Sequence, residues 1–209
     1  RHLLSLGRRF VSLEDCIATI EASGRCGQNE VAVTFDDGWR DAFDHALPIL
    51  SRLGIRAAFF IVSGAVPGVA AERRLAPEHV VELCRLGMTV GAHTRTHVDL
   101  TSLEAGRAAE EMKGSRLDLE ELIRRPVLHL AYPGGRFNRT IADLAQEAGF
   151  RAACCSLGGG LNDRASLFWL YRDMLSPGLN TWRDRLLLNS MGRRLLNIRA
   201  RTRCSRLVP

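Results

Sequence analysis

Lysine is all but missing from this chain: of its 29 basic residues only Lys113 is lysine and the rest are arginine. A bias that uniform reflects overall composition, and no site is drawn from it. Acidic residues stop at Asp184, whereas seven arginines follow between Arg185 and Arg206, so the net charge of +6 belongs to the tail. The body is close to neutral, which argues against a broad nucleic-acid surface. Long hydrophobic runs are absent too: the longest, near residues 56–66, is too short to span a bilayer. The N-terminus lacks the basic, apolar, small-residue order of a signal peptide, which tips the expected compartment towards the cytoplasm rather than export, although a chain starting at Arg1 reads as a trimmed piece. No C-x-x-C spacing links the six cysteines, which argues against a thiolate zinc site. Their even number permits disulfides, but 209 residues with 46% hydrophobic and 25% charged side chains can build a core without them.

What is present is punctuation. Ser12-Leu13-Glu14-Asp15 reads as an N-cap with an acid at N3, opening a helix that Gly24 stops. A strand is expected over residues 30–35, then a helix over 40–52 with Phe43, Leu47, Leu50 and Leu53 on one stripe and Gly54 as its cap. A buried strand over 56–62 follows. Pro77 starts a second amphipathic helix with Val80, Val81 and Cys84 inward and Gly87 at its end, before a short strand at 88–91. Thr101-Ser102-Leu103-Glu104 matches a capping box for a long helix towards Ile123. Strands at 127–132 and 150–155 flank a helix capped by Asn138 and ended by Gly149, and a strand at 168–171 and a helix from Thr181 complete the series.

Alternating β and α segments predict an α/β fold with a mostly parallel sheet, and five or six strands fit a distorted, incomplete (β/α) barrel better than a full eight-stranded one. One domain is expected over 1–209, with its core at about 28–175. Residues 185–209 read as a basic helix and tail, whose apolar residues between arginines allow weak contact with a membrane surface besides plain packing.

Four polar stretches each follow an expected strand, at the edge where parallel α/β folds bind ligands. The first is Thr34-Phe35-Asp36-Asp37-Gly38-Trp39, whose adjacent carboxylates repel unless a cation or proton satisfies one of them. The second, His93-Thr94-Arg95-Thr96-His97, carries two imidazoles that a tight loop can aim at one point. With a carboxylate they make a three-ligand metal site with an open position, although the spacing alone is shared with surface and structural histidines. Tyr132-Pro133-Gly134-Gly135 and Arg172-Asp173 are the third and fourth. Trp39, Phe137, Trp169, Tyr171 and Trp182 are candidate sugar-stacking rings, with core packing as the alternative.

Thr34-Phe35-Asp36-Asp37-Gly38 and His93-Thr94-Arg95-Thr96-His97 resemble the first two motifs of the polysaccharide deacetylases, carbohydrate esterase family 4, which include the nodulation-type chitooligosaccharide deacetylases. Order and spacing agree over residues 31–173. The resemblance implies an incomplete (β/α) barrel and metal-dependent removal of acetyl groups from N-acetylated sugars of a polysaccharide, oligosaccharide or glycolipid. It also implies that Asp37, His93 and His97 hold a divalent metal, zinc foremost, with cobalt, manganese or nickel as substitutes, and that Asp36 is the general base. Tyr132 to Gly135 is similar to the third motif, with Ala131 where the family carries an arginine and Gly134 where it carries an aromatic. A Gly134 backbone N–H contact to the oxyanion is still implied, with Tyr132, Pro133 and Trp39 as substrate contacts. Asp173 lies near the fourth motif's acid. The fifth motif's histidine, the general acid, has no counterpart, because no histidine follows His129. Two other readings keep part of this pattern: a deformylase or amidohydrolase with the same metal site, or a carbohydrate-binding module with an impaired one.

Overall fold

The computed structural model describes residues 7–27, 29–64, 70–158 and 160–174, together with Leu207. The expected helix from Thr181, the tail at 185–209 and Trp182 lie outside the described residues.

A short strand β1 (Arg9–Phe10) leads into helix α1 (Leu13–Ser23), which starts where Ser12 Oγ accepts from the Asp15 N–H and stops at Gly24 with φ 85°. The strand expected over 30–35 divides. Its first part, β2 (Glu30–Val31), pairs with β1, whereas β3 (Thr34–Phe35) pairs with the next strand. The Val31 carbonyl still accepts from Val11, and two residues later the Val33 carbonyl accepts from Ala58, so one apolar run serves two sheets in turn.

The helix expected over 40–52 begins as a wide π turn (Ala42–Ala46) and becomes regular only as α2 (Leu47–Arg52). Pro48 has no N–H to return to Asp44, and its ring crowds that carbonyl, so the chain widens before it. Leu47 and Leu50 are buried, but Leu53, at the cap, is exposed. Strand β4 (Ala58–Ile61) is buried throughout. Helix α3 (Pro77–Arg85) turns Val80 and Leu83 inward and leaves Val81 outside, a rotation of the expected stripe.

Strand β5 (Thr89–Ala92) precedes the long helix α4 (Ala105–Ile123). The expected capping box does not form. Asp99 instead caps a short turn at Leu100–Ser102 by accepting from the Thr101 N–H and hydroxyl, and Glu104 enters α4 with no side-chain cap. Strand β6 (His129–Ala131), helix α5 (Arg139–Glu147), capped by Asn138, and strand β7 (Ala152–Cys154) follow. The strand expected at 168–171 reduces to one parallel bridge between Leu170 and Cys154.

Strands β3 to β7 form one parallel sheet in sequence order, which curls into a half-barrel with flanking helices, the distorted incomplete (β/α) barrel expected. Between the sheet and its helices lies the larger core, built on Phe59, Leu83, Val90, Leu100, Met112 and Leu130. An incomplete barrel would leave its inner face wet, and α1 prevents this. Leu13, Ile17 and Ile20 pack on the inward row Ala58, Phe60, Ala131, Ala152 and Cys154, the leucine and the two isoleucines each contributing roughly 1.5–3 kcal/mol. Phe60 fits because its partner across the ladder is Gly91, where a Cβ would lie 2.5 Å from the ring.

Beneath this row His129 is 2% exposed, and neither ring nitrogen has a hydrogen-bond partner. The charges around it are Glu14, 3.8 Å from Nε2, with Glu21 and Arg151, which pair with each other. Burial pushes the imidazole below its ordinary value, with Glu14 opposing. The unfolded ring therefore takes up a proton that the folded ring resists, and stability falls as pH drops through about 6.5. Melting temperatures followed from pH 8 to 5 should decline more steeply for the wild type than for His129→Leu; parallel curves would remove His129 as the cause.

Candidate active site

The two carboxylates that repel as sequence neighbours go to different partners. After β3 the chain turns through left-handed conformations at Asp37 (φ 71°) and Gly38 (φ 69°), and each acid acquires its own surroundings.

Asp37 Oδ1 lies 3.3 Å from His93 Nε2 and 2.9 Å from His97 Nε2. His93 follows β5 directly and is 1% exposed, with Nδ1 2.7 Å from the Ala131 carbonyl oxygen. A carbonyl only accepts, so Nδ1 carries the hydrogen and donates. In the neutral ring this leaves the Nε2 lone pair facing a carboxylate oxygen, an arrangement that a cation between them satisfies. His97 comes from a tight loop with positive φ at Thr94 and His97, where Thr94 Oγ1 accepts from the His97 N–H at 3.0 Å. Glu111 on α4 accepts from the Arg95 and Thr96 backbone N–H groups, and Arg95 reaches Asp118 through two nitrogens at 2.8 and 2.6 Å. The arginine crosses α4 at Gly114, where a Cβ would lie 2.4 Å from its guanidinium carbon. That glycine, an interruption in the sequence of the helix, is what lets Arg95 lie flat and strap the histidine loop.

When His93 is protonated at Nε2, its hydrogen bond is the largest influence holding Asp37 down at about 2; burial opposes it, and the Trp39 N–H and the charge of a protonated His97 add to it. Burial pushes His97 below its ordinary value, favouring the neutral ring. One atom from each of Asp37, His93 and His97 lies within 4.8 Å of the others, and among the described residues no other group of His, Cys, Asp or Glu side chains is so arranged. A carboxylate and two imidazole nitrogens are the donor set of an open, borderline-soft divalent site, and the residues fit such an ion.

Asp36 points into a different contact. Arg172 grips it with two parallel bonds of 2.6 Å, Nη1 to Oδ1 and Nη2 to Oδ2, and also donates to Thr34 Oγ1 and, through Nε, to the Cys155 carbonyl. The guanidinium lies over the Phe60 ring, 5.4 Å from its centroid, on the same inward row as Ala131. An alanine at 131 keeps that row small where Arg172 enters. From the sequence, Arg172-Asp173 is open to orienting a site residue or to a surface ion pair, with Asp36 not named as the partner. The signal was present as an arginine missing from position 131 and another arriving at a later strand end.

The remaining candidates scatter. Gly134 is exposed in the turn after β6 with φ 60°. Tyr132 and Pro133, expected against substrate, are buried instead: the Tyr132 hydroxyl donates to the Phe168 carbonyl, and its ring stacks on Phe137, which stacks on Trp169. These rings are core because the turn folds their apolar faces beneath the mouth. Trp39 is half-buried, donates to Asp37 Oδ2 and carries the Arg74 guanidinium on its ring. Asp173 is half-buried, one residue past the guanidinium that reaches Asp36.

A family model described as polysaccharide deacetylase matches residues 23–153. YxkH of Bacillus subtilis (strain 168), whose name assigns it provisionally to the same activity, is 25% identical over 150 residues, covering 72% of this chain and 53% of its own length. The chain thus spans about half the length of the curated relatives it matches first. Among solved structures, Streptococcus pyogenes deacetylase PplD in complex with acetate superposes with a TM-score of 0.75 at 26% identity, over 83% of this chain and 76% of that one. IcaB from Ammonifex degensii gives 0.75 at 24% identity, over 84% and 80%, a likeness of fold.

Proposed function

The chain belongs to the polysaccharide deacetylase family, and from that membership we propose that it is a metal-dependent hydrolase releasing acetate from N-acetylated sugars of a polysaccharide, oligosaccharide or glycolipid. The observation that supports this best is the convergence of Asp37, His93 and His97 from two strand ends, with ligand atoms within 4.8 Å, beside an acid that is held apart from them. Asp37, His93 and His97 would hold the ion, zinc foremost. When bound, a divalent cation there polarises the acetyl carbonyl and lowers the pKa of water.

The protein's own residues supply the rest. Asp36 accepts the proton of the attacking water; Arg172 occupies one lone pair on each of its oxygens and leaves others free, so it orients the base without blocking it. The Gly134 N–H, at the exposed turn beside the mouth, donates to the developing oxyanion. Asp173 is left without a step. Tyr132 and Pro133 support the turn from below.

Purified chain, stripped and reloaded with zinc, should hold one equivalent of metal and release acetate from an N-acetylated chitooligosaccharide, with chelation abolishing turnover and zinc restoring it. Failure to bind any divalent metal would remove the mechanism. Release of formate from formylated substrates in preference to acetate would move the activity to a deformylase, and sugar binding without hydrolysis under full metal loading would indicate a binding module.

A further inference from the structure

The second oxygen of Asp37 has a partner that the chemistry above does not use. Trp39 Nε1 donates to Asp37 Oδ2 at 2.9 Å, while Oδ1 alone faces the two imidazoles. Arg74 completes the arrangement from another segment. Its guanidinium carbon sits 4.2 Å from the Trp39 ring centroid, and Nη1 donates to the backbone carbonyl of Asp37 itself. A short antiparallel bridge between Trp39 and Arg74, with the Leu75 N–H donating to the Gly38 carbonyl at 2.9 Å, joins the two segments at this point. Arg74 Nε is buried without a hydrogen-bond partner.

Asp37 needs such support. Its φ of 71° is a left-handed conformation that aspartate tolerates better than most residues but that still costs free energy unless the surroundings hold it. Arg74 holds the backbone side of the residue, and Trp39 holds the carboxylate. The indole N–H takes one lone pair of Oδ2 and holds that oxygen towards Trp39, so Oδ1 is the oxygen presented beside the imidazoles, and Asp37 would give an ion one oxygen rather than two.

Resting on the metal-site reading above, we infer that Trp39 and Arg74 are positioning residues for the metal ligand Asp37, fixing it as a single-oxygen donor, and that the indole acts here through its N–H rather than as a sugar platform. Partners that orient a ligand in this way typically control metal affinity by about 10–100-fold.

The test is zinc affinity measured by calorimetry on the stripped chain, alongside the melting temperature of the metal-free protein. Trp39→Phe keeps a ring for Arg74 to stack on and removes only the N–H. It should weaken zinc binding by about 10–100-fold with little change in the metal-free melting temperature. Arg74→Met gives the sharper discrimination. By charge alone, removing a cation from beside a dication site should tighten zinc binding, whereas loss of positioning should weaken it. Unchanged affinity in Trp39→Phe, or tighter binding in Arg74→Met, with wild-type zinc binding intact, would overturn the inference and leave the metal site standing. A wild-type chain that binds no zinc would overturn both.

Discussion

Asp36→Asn is expected to bind zinc as the wild-type chain does and to release acetate about 10²–10⁴ times more slowly, the range that a positioned general base contributes. The expectation follows from the separation of the two acids. Asp37 alone contacts His93 and His97, and Asp36 is occupied by Arg172, so the amide change leaves every proposed ligand in place. The asparagine oxygen still accepts from the guanidinium, although its NH2 group then opposes the other nitrogen. Metal content by elemental analysis and initial rates of acetate release decide the matter together. Lost metal in this variant would mean that the roles of the two acids are exchanged; retained metal with retained turnover would remove Asp36 as the base.

Arg172→Met should produce the second large effect. No proposed ligand touches Arg172, so zinc stoichiometry should hold, while the base loses both bonds that orient it. Misplacement of a reacting group by about 1 Å can cost on the order of 10²-fold in rate, and a loss of that size in kcat with little change in KM is the expected reading. The variant should also be less stable, because the Asp36 carboxylate, 31% exposed at its side chain, is left without its counter-charge. The cost falls below the roughly 3–5 kcal/mol found on breaking fully buried pairs, since water reaches the acid. A second substitution separates orientation from simple damage. Ala131→Arg in the Arg172→Ala background returns a guanidinium from the position where the resemblance places one, and partial recovery of kcat is expected. Arg172→Met turning over at the wild-type rate would reduce the pair to a structural contact.

Local chemistry in the sequence was legible wherever one element could satisfy it. Ser12 caps α1, Asn138 caps α5, and Gly24 takes the positive φ that ends a helix, because caps and stops are settled within a few residues. The alternation of strands and helices likewise gave a parallel sheet, and the spacing of the two motifs placed an acid and two histidines at strand ends. Legibility failed where a distant partner decided. Thr101 to Glu104 has the form of a capping box, yet Asp99 competes for the same Thr101 groups from two residues upstream and wins. Residues 30–35 read as one strand, but β1 and β4 claim different halves. Tyr132 resembled a substrate contact until its hydroxyl found the Phe168 carbonyl, 36 residues away, and its ring found Phe137.

The division is clearest at Asp36 and Asp37. The sequence by itself determined that two carboxylates follow a strand, that two histidines follow another, and that no arginine stands at position 131. The resemblance already set Asp37 with the histidines and Asp36 apart as the base; what holds each acid in that place was visible only in the tertiary structure, because the deciding groups come from elements far apart in the chain. The Ala131 carbonyl fixes His93, Arg172 enters over Phe60 to take Asp36, and Arg74 and Trp39 hold Asp37. A charge pattern records repulsion between neighbours; the direction in which each carboxylate relieves it depends on which donors the curled sheet brings within about 3 Å.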